Sequence, residues 1–163
     1  MVFVRIKKLK GREYAYLVAN EWTINGSRQK VKEYLGRVVT PTKQKETSVE
    51  IASLNYKSAV LALVKQELLN HGFSEELTLE DINADMSAMT FIKKGKNIVL
   101  ALNEGFLCAQ TIKDALEVEL TGYEEQAGMQ LAKALLGTGL NIPKDTFVQL
   151  FEKIYKGNIN TGE

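Results

Sequence analysis

Over residues 2–10, 14–22 and 28–36, apolar and polar positions alternate with a period of two, in runs rich in Val, Ile, Tyr and Trp. The runs are separated by "KGRE" and "NGS". An Asn-Gly pair between such runs is a strong hairpin signal, because a type I′ turn needs positive φ at both central residues. The pattern predicts a three-stranded antiparallel meander. Side chains alternate across a sheet, so without bulges one face collects Val2, Val4, Ile6, Ala15, Leu17, Ala19, Val31 and Leu35. The opposite face collects Arg5, Lys7, Tyr14, Tyr16, Arg28, Lys30, Lys32 and Tyr34, with Trp22 at its end. One face is built to pack, and the other interleaves cations with aromatic rings.

Beyond "TPTKQKETS", residues 40–48, the period changes. Thr47 with Glu50 fits a capping box, and Leu54 to His71 reads as a helix apolar round most of its circumference, stopped by Gly72. Thr78 with Asp81 offers another cap. Met86 to Lys93 and Asn97 to Leu102 read as strands joined across "KKGKN". Cys108, Ile112, Ala115 and Leu116 share a helical face. Thr121 with Glu124 caps a helix running to Leu136, which Gly137 and Gly139 end. Pro143 opens the last helix, where Phe147, Leu150, Phe151, Ile154 and Tyr155 form one apolar stripe. The expected fold is α+β. An N-terminal meander over 1–40 and a linker over 41–48 precede a mainly helical unit with a hairpin over 49–157, and a polar tail fills 158–163.

Charge sharpens this division. The whole chain carries a net +1, but residues 1–45 hold 11 Lys and Arg against three acids, a net of +8, and the remainder carries −7. A basic piece for a polyanion and an acidic piece with another task fit that asymmetry. With 163 residues the chain can bury a core without staples, and its one cysteine excludes an internal disulfide. No signal peptide is legible, so a reducing cytoplasm is expected. The longest purely apolar run, Ala59 to Val64, is far short of the roughly 20 residues that cross a bilayer, so no membrane role is expected.

Candidate catalytic chemistry is sparse. The single histidine, His71, stands at a helix C-terminus, where capping or surface exposure explains it. Cys108 reads as a small core residue. "GTGLNIPKD" lacks the preceding strand and third glycine of a dinucleotide loop. Adjacent acids such as Glu75-Glu76 sit at expected helix starts, and no Cys/His spacing suggests zinc. No catalytic residue, metal or cofactor is expected, and the chain reads as a non-enzyme.

The cationic aromatic face has a bland explanation, since lysines on exposed sheet faces and edges discourage aggregation. That accounts for the cations better than for Tyr14, Tyr16, Tyr34 and Trp22. Rings stack on unpaired bases for roughly 1–3 kcal/mol each while cations hold phosphates. Arg5, Lys7, Tyr14, Tyr16, Trp22, Arg28, Lys30, Lys32 and Tyr34 are therefore the candidate nucleic-acid contacts.

The stretch "FVRIKKLKGREYAYLVANEWTINGSRQKVKEYLGRVV", residues 3–39, resembles the small N-terminal β-meander of archaeal and bacterial insertion-sequence transposases and of small uncharacterised archaeal proteins. In those transposases the meander precedes a large RNase H-like catalytic domain and helps grip nucleic acid. The resemblance implies a gripping role for Arg28, Lys30, Lys32 and Tyr34, with Tyr14 and Tyr16 behind them. Residues 46–163 are too few for such a catalytic domain and show no spacing of its three acids, so transposition is not implied. RNA, including the ribosome, ranks ahead of DNA as partner, because no helix-turn-helix pattern offers a helix to the major groove. A DNA-binding accessory protein is the alternative. From another class comes an assembly module, homo-oligomeric through Phe147, Leu150, Phe151, Ile154 and Tyr155.

Overall fold

The computed structural model describes residues 2–160, with side chains placed for residues 2–155. It is α+β. Strands β1 (Val2–Leu9), β2 (Arg12–Thr23) and β3 (Gly26–Val39) form the antiparallel meander. Helix α1 (Tyr56–Asn70) precedes β4 (Thr78–Leu79), β5 (Ile82–Asp85), β6 (Thr90–Lys93), β7 (Lys96–Leu102) and β8 (Gly105–Leu107). Helices α2 (Ala109–Leu116), α3 (Glu124–Thr138) and α4 (Lys144–Asn160) close the chain. The polar tail expected over 158–163 is helical through Asn160, and its remainder lies outside the described residues.

The meander and the second unit share one sheet. Its order is β1-β2-β3-β7-β6-β5-β4, with β8 added beside β7. The junction is parallel and short: Arg37, Val38 and Val39 pair with Ile98, Val99 and Leu100. A small core of Ala15, Val38, Val99 and Cys108, flanked by Val4, Ile6, Leu35 and Phe106, seals it. The larger core gathers α1 side chains such as Val60, Val64 and Leu68 against Leu100, Leu102, Ile112, Leu131 and Leu150. The segment expected as a linker is not a packing gap. Pro41 is buried, and the Gln44 and Lys45 amides donate to the Asn70 carbonyl at 2.7 and 3.2 Å.

Several caps differ from expectation. Helix α1 starts at Tyr56, where Asn55 accepts from the Ser58 amide at 2.9 Å, so Thr47 and Glu50 cap nothing. Thr47 is instead clamped by the Asn70 side chain. Thr78 lies in a strand, its hydroxyl 2.8 Å from that of Ser74. The N-cap of α3 is Tyr123, because Gln130 holds the Thr121 amide and hydroxyl, each at 2.9 Å. Gly139 ends α3 in the left-handed conformation, as its place in the sequence leads one to expect. In each miss the threonine is engaged by another side chain, Asn70, Ser74 or Gln130, in place of the expected cap.

Tyr56 ties α1 to α2 by donating its buried hydroxyl to the Ala115 carbonyl at 2.6 Å. Burial pushes the phenol from its ordinary 10.0 up to about 12. A pKa raised on folding leaves stability fully present below pH 10 and removes it as pH climbs towards 12, by up to about 1.4 kcal/mol per unit. Tyr56→Phe is expected to cost about 1–2 kcal/mol at pH 8, since it orphans that carbonyl. By pH 11 the gap to wild type, measured by urea denaturation, should have closed by about 1 kcal/mol. A gap independent of pH would show that folding does not hold this phenol neutral.

Candidate nucleic-acid interface

The β1–β2 register is regular, with Arg5 opposite Tyr16 and Lys7 opposite Tyr14. The β2–β3 register is not. Tyr16 pairs with Tyr34 but Ala15 with Gly36, and Leu17 pairs with Glu33 but Val18 with Val31. Two bulges, at Leu35–Gly36 and Lys32–Glu33, each give β3 one extra residue and reverse the parity of its side chains. The face expected from strict alternation is therefore corrected. Opposed residues share a face, so Tyr14, Tyr16 and Tyr34 remain together with Arg5 and Lys7, and Arg37 joins them opposite Tyr14. Arg28 and Lys30, opposite Glu21 and Ala19, lie on the other face. There Glu21 pairs with Lys30 at 3.7 Å and with Lys32 at 3.5 Å.

The three tyrosines form a cluster. Ring centroids are 5.2 Å apart for Tyr16–Tyr34 and 6.4 Å for Tyr14–Tyr34, and the Lys7 ammonium sits 5.0 Å from the centre of the Tyr16 ring. Tyr34 remains 53% exposed. Its phenol is pushed up first by burial and then by Tyr16 and Tyr14, and Arg37 pulls it down. A wide, open hollow in front of the rings is bordered by Leu9, Lys10 and Arg12. Further along the same face Val18 is buried between Phe3 and Val31 in the register, Arg5 donates to Gln29, and Trp22 stands 86% exposed.

Lys10, Arg12 and Arg37 were missed by sequence reasoning. Lys10 stands in the tight turn between β1 and β2 and Arg12 directly follows it, with φ of +51° at Lys10 and +78° at Gly11. Arg37 had a legible signal, because a glycine inside a strand marks a bulge. The loop between β2 and β3 also differs from the expected type I′ turn: Thr23 pairs with Gly26, so Ile24 and Asn25 are central, and positive φ falls on Gly26 alone at +107°.

The α4 stripe faces mainly inward. Leu150 is fully buried, and Phe147, Phe151 and Ile154 pack on the main core. Tyr155 stacks on Phe151 with centroids 4.8 Å apart. His71 caps α1 but is buried rather than superficial, with Nδ1 2.9 Å from the Glu67 carbonyl and 3.4 Å from Glu67 Oε1. The Glu67 carboxylate accepts from the Asn103 amide at 3.0 Å and the Asn141 backbone at 3.4 Å. This network joins α1 to the β7–β8 turn and the α3–α4 loop. Cys108 is the buried N-cap of α2 and meets Thr111. Among the described residues no group of three or more His, Cys, Asp or Glu could hold a metal ion. No helix among them is long and apolar enough to cross a membrane.

Compared with protein-family models, with curated proteins and with solved structures, the chain finds no match in any of the three.

Proposed function

We propose that this protein is a non-catalytic nucleic-acid-binding protein whose ligand lies on the tyrosine cluster of the meander. The observation that carries this reading is the cluster itself: three neighbouring rings with Lys7 over one of them and Arg5, Lys10, Arg12 and Arg37 around them, in a hollow bordered by no acid. Rings offer every base a π-face and cations track the phosphates. The surface is a sheet, which suits unpaired or irregular RNA, ribosomal RNA included, better than the regular groove of a DNA duplex. The cytoplasm is the matching compartment. The second unit anchors the meander, and self-association through the outer side of α4, around Val148 and the Phe151–Tyr155 stack, belongs to the same proposal.

The test is binding of single-stranded RNA, structured RNA and duplex DNA across a salt series. Trp22, the single tryptophan, stands on the same face and reports by its fluorescence. RNA is expected to bind most tightly, with log K falling against log salt by about 0.7 per phosphate contact on single strands. Tyr16→Ala with Tyr34→Ala should weaken binding by about 2–4 kcal/mol without changing that slope. If none of the three ligands binds, the tyrosine cluster is a structural or protein-contact surface.

A further inference from the structure

We infer that the tip of the β2–β3 ribbon, Trp22 with Ile24, is a wedge that stacks against the last base pair where an RNA duplex opens into the single strand held by the tyrosine cluster. This rests on the nucleic-acid reading and narrows its ligand to a junction between duplex and single strand. The ribbon follows from unequal strand lengths. Strand β1 pairs with β2 only as far as Ala19, and β3 meets β7 only from Arg37 onward, so residues 20–23 and 26–29 have only each other as strand partners. Every residue from 20 to 29 is exposed except Gly26, which is half-buried.

At the end of this ribbon stand two large apolar side chains that neither packing nor turn chemistry explains. Ile24 is fully exposed and Trp22 nearly so. Two-residue hairpin loops favour Asn, Gly and Asp, whereas Ile24 takes a central place in this one. Apolar surface held out in water gains by burial against a partner. Charge selects the partner: within residues 20–32 the cations Arg28, Lys30 and Lys32 face one acid, Glu21, on an arm that is already basic. A polyanion meets that charge, and the open face of a terminal base pair is the flat apolar surface that an indole covers and a branched aliphatic side chain wedges. Trp22 lies on the same side of β2 as Tyr16, six residues on, which at about 3.3 Å per residue puts it about 20 Å from the rings. At roughly 3.4 Å per nucleotide along a stacked strand, about six nucleotides span that distance. The overhang therefore lies along β2, its free end on the tyrosines and its duplex at the tip.

The test titrates labelled RNA hairpins carrying single-stranded overhangs of six or two nucleotides, and the free hexamer, into wild type and into Trp22→Ala/Ile24→Ala, read by fluorescence anisotropy. Both residues are exposed, so the variant should keep the wild-type melting midpoint. Wild type is expected to bind the six-nucleotide overhang about tenfold more tightly than the two-nucleotide one, which cannot reach both contacts. The variant should lose about tenfold on the six-nucleotide overhang and stay within about twofold on the hexamer, at an unchanged salt slope. If the variant loses equally on hairpin and hexamer, Trp22 only lengthens a single-stranded platform, and if it loses on neither, the tip touches no RNA. Equal binding of the two overhangs by wild type would likewise place no junction at the tip. A variant defective only in self-association or in binding anionic vesicles would assign the tip to a second copy or a lipid surface. In each of these cases the inference falls while the proposed function stands on the hexamer. If neither the hexamer nor any other nucleic acid binds wild type, both fall together.

Discussion

Replacing Gly36 by alanine is expected to destabilise the protein by about 3–5 kcal/mol, by combining two costs at one position. The φ of Gly36 is +136°, a conformation that side chains rarely adopt, and a Cβ there would lie 2.4 Å from the Asn97 carbonyl oxygen and 3.0 Å from the Ile98 Cα. Those neighbours are backbone of β7, pinned by the main core, and cannot swing aside as a side chain tip would. Gly11→Ala is the control. It shares the positive φ, at +78°, but meets nothing within 4 Å, and should cost only about 1 kcal/mol. Urea denaturation of the two variants and wild type decides the matter. Equal losses would mean that β3 does not press against β7 at the crossing, and the junction between arm and body would have to be redrawn. Because Tyr34 and Arg37 flank Gly36, any Gly36→Ala protein that folds should also bind RNA less tightly.

That crossing also explains which parts of the site were legible in the sequence. The meander, the second hairpin and the four helices follow from period and turn residues, which are local. Tyr14 and Tyr16 fell on the expected face because β2 alternates regularly. Parity along β3 is different, since a single inserted residue flips everything beyond it. The Leu35–Gly36 bulge left a trace in the glycine. The one at Lys32–Glu33 left none, because no glycine or proline marks it and lysine and glutamate fit either face of an exposed strand. Val31, expected to pack, therefore joins the tyrosine face, and Arg28 and Lys30 leave it. Strand β8 was also missed. Three residues, Gly105–Leu107, are too few to show alternation, and they form a strand because β7 offers them an edge. The misplaced caps at Thr47, Thr78 and Thr121 have partners at three ranges, Asn70 twenty-three residues on, Ser74 four residues back and Gln130 nine residues on, and a spacing rule for capping boxes weighs none of them.

Changing Lys7, Arg12 and Arg37 together to Glu should weaken single-stranded RNA binding about a hundredfold at 0.1 M salt. Three phosphate contacts at about 0.7 each change the slope of log K against log salt by about 2, which over one decade of salt gives that factor. Changing Arg28, Lys30 and Lys32 to Glu should cost about tenfold or less, although strict alternation would have placed them at the centre of the grip. They lie across the sheet from the tyrosines, and Glu21 already sits within 4 Å of two of them. Both triple variants alter net charge equally, so a difference between them reports position rather than bulk attraction. Equal losses would mean that RNA feels only the summed field of the basic half. The reverse ranking would move the ligand to the Glu21 face and leave the tyrosine cluster as packing for the arm. The expected ranking ties binding to the face on which the bulges kept the rings and to which they brought Arg37.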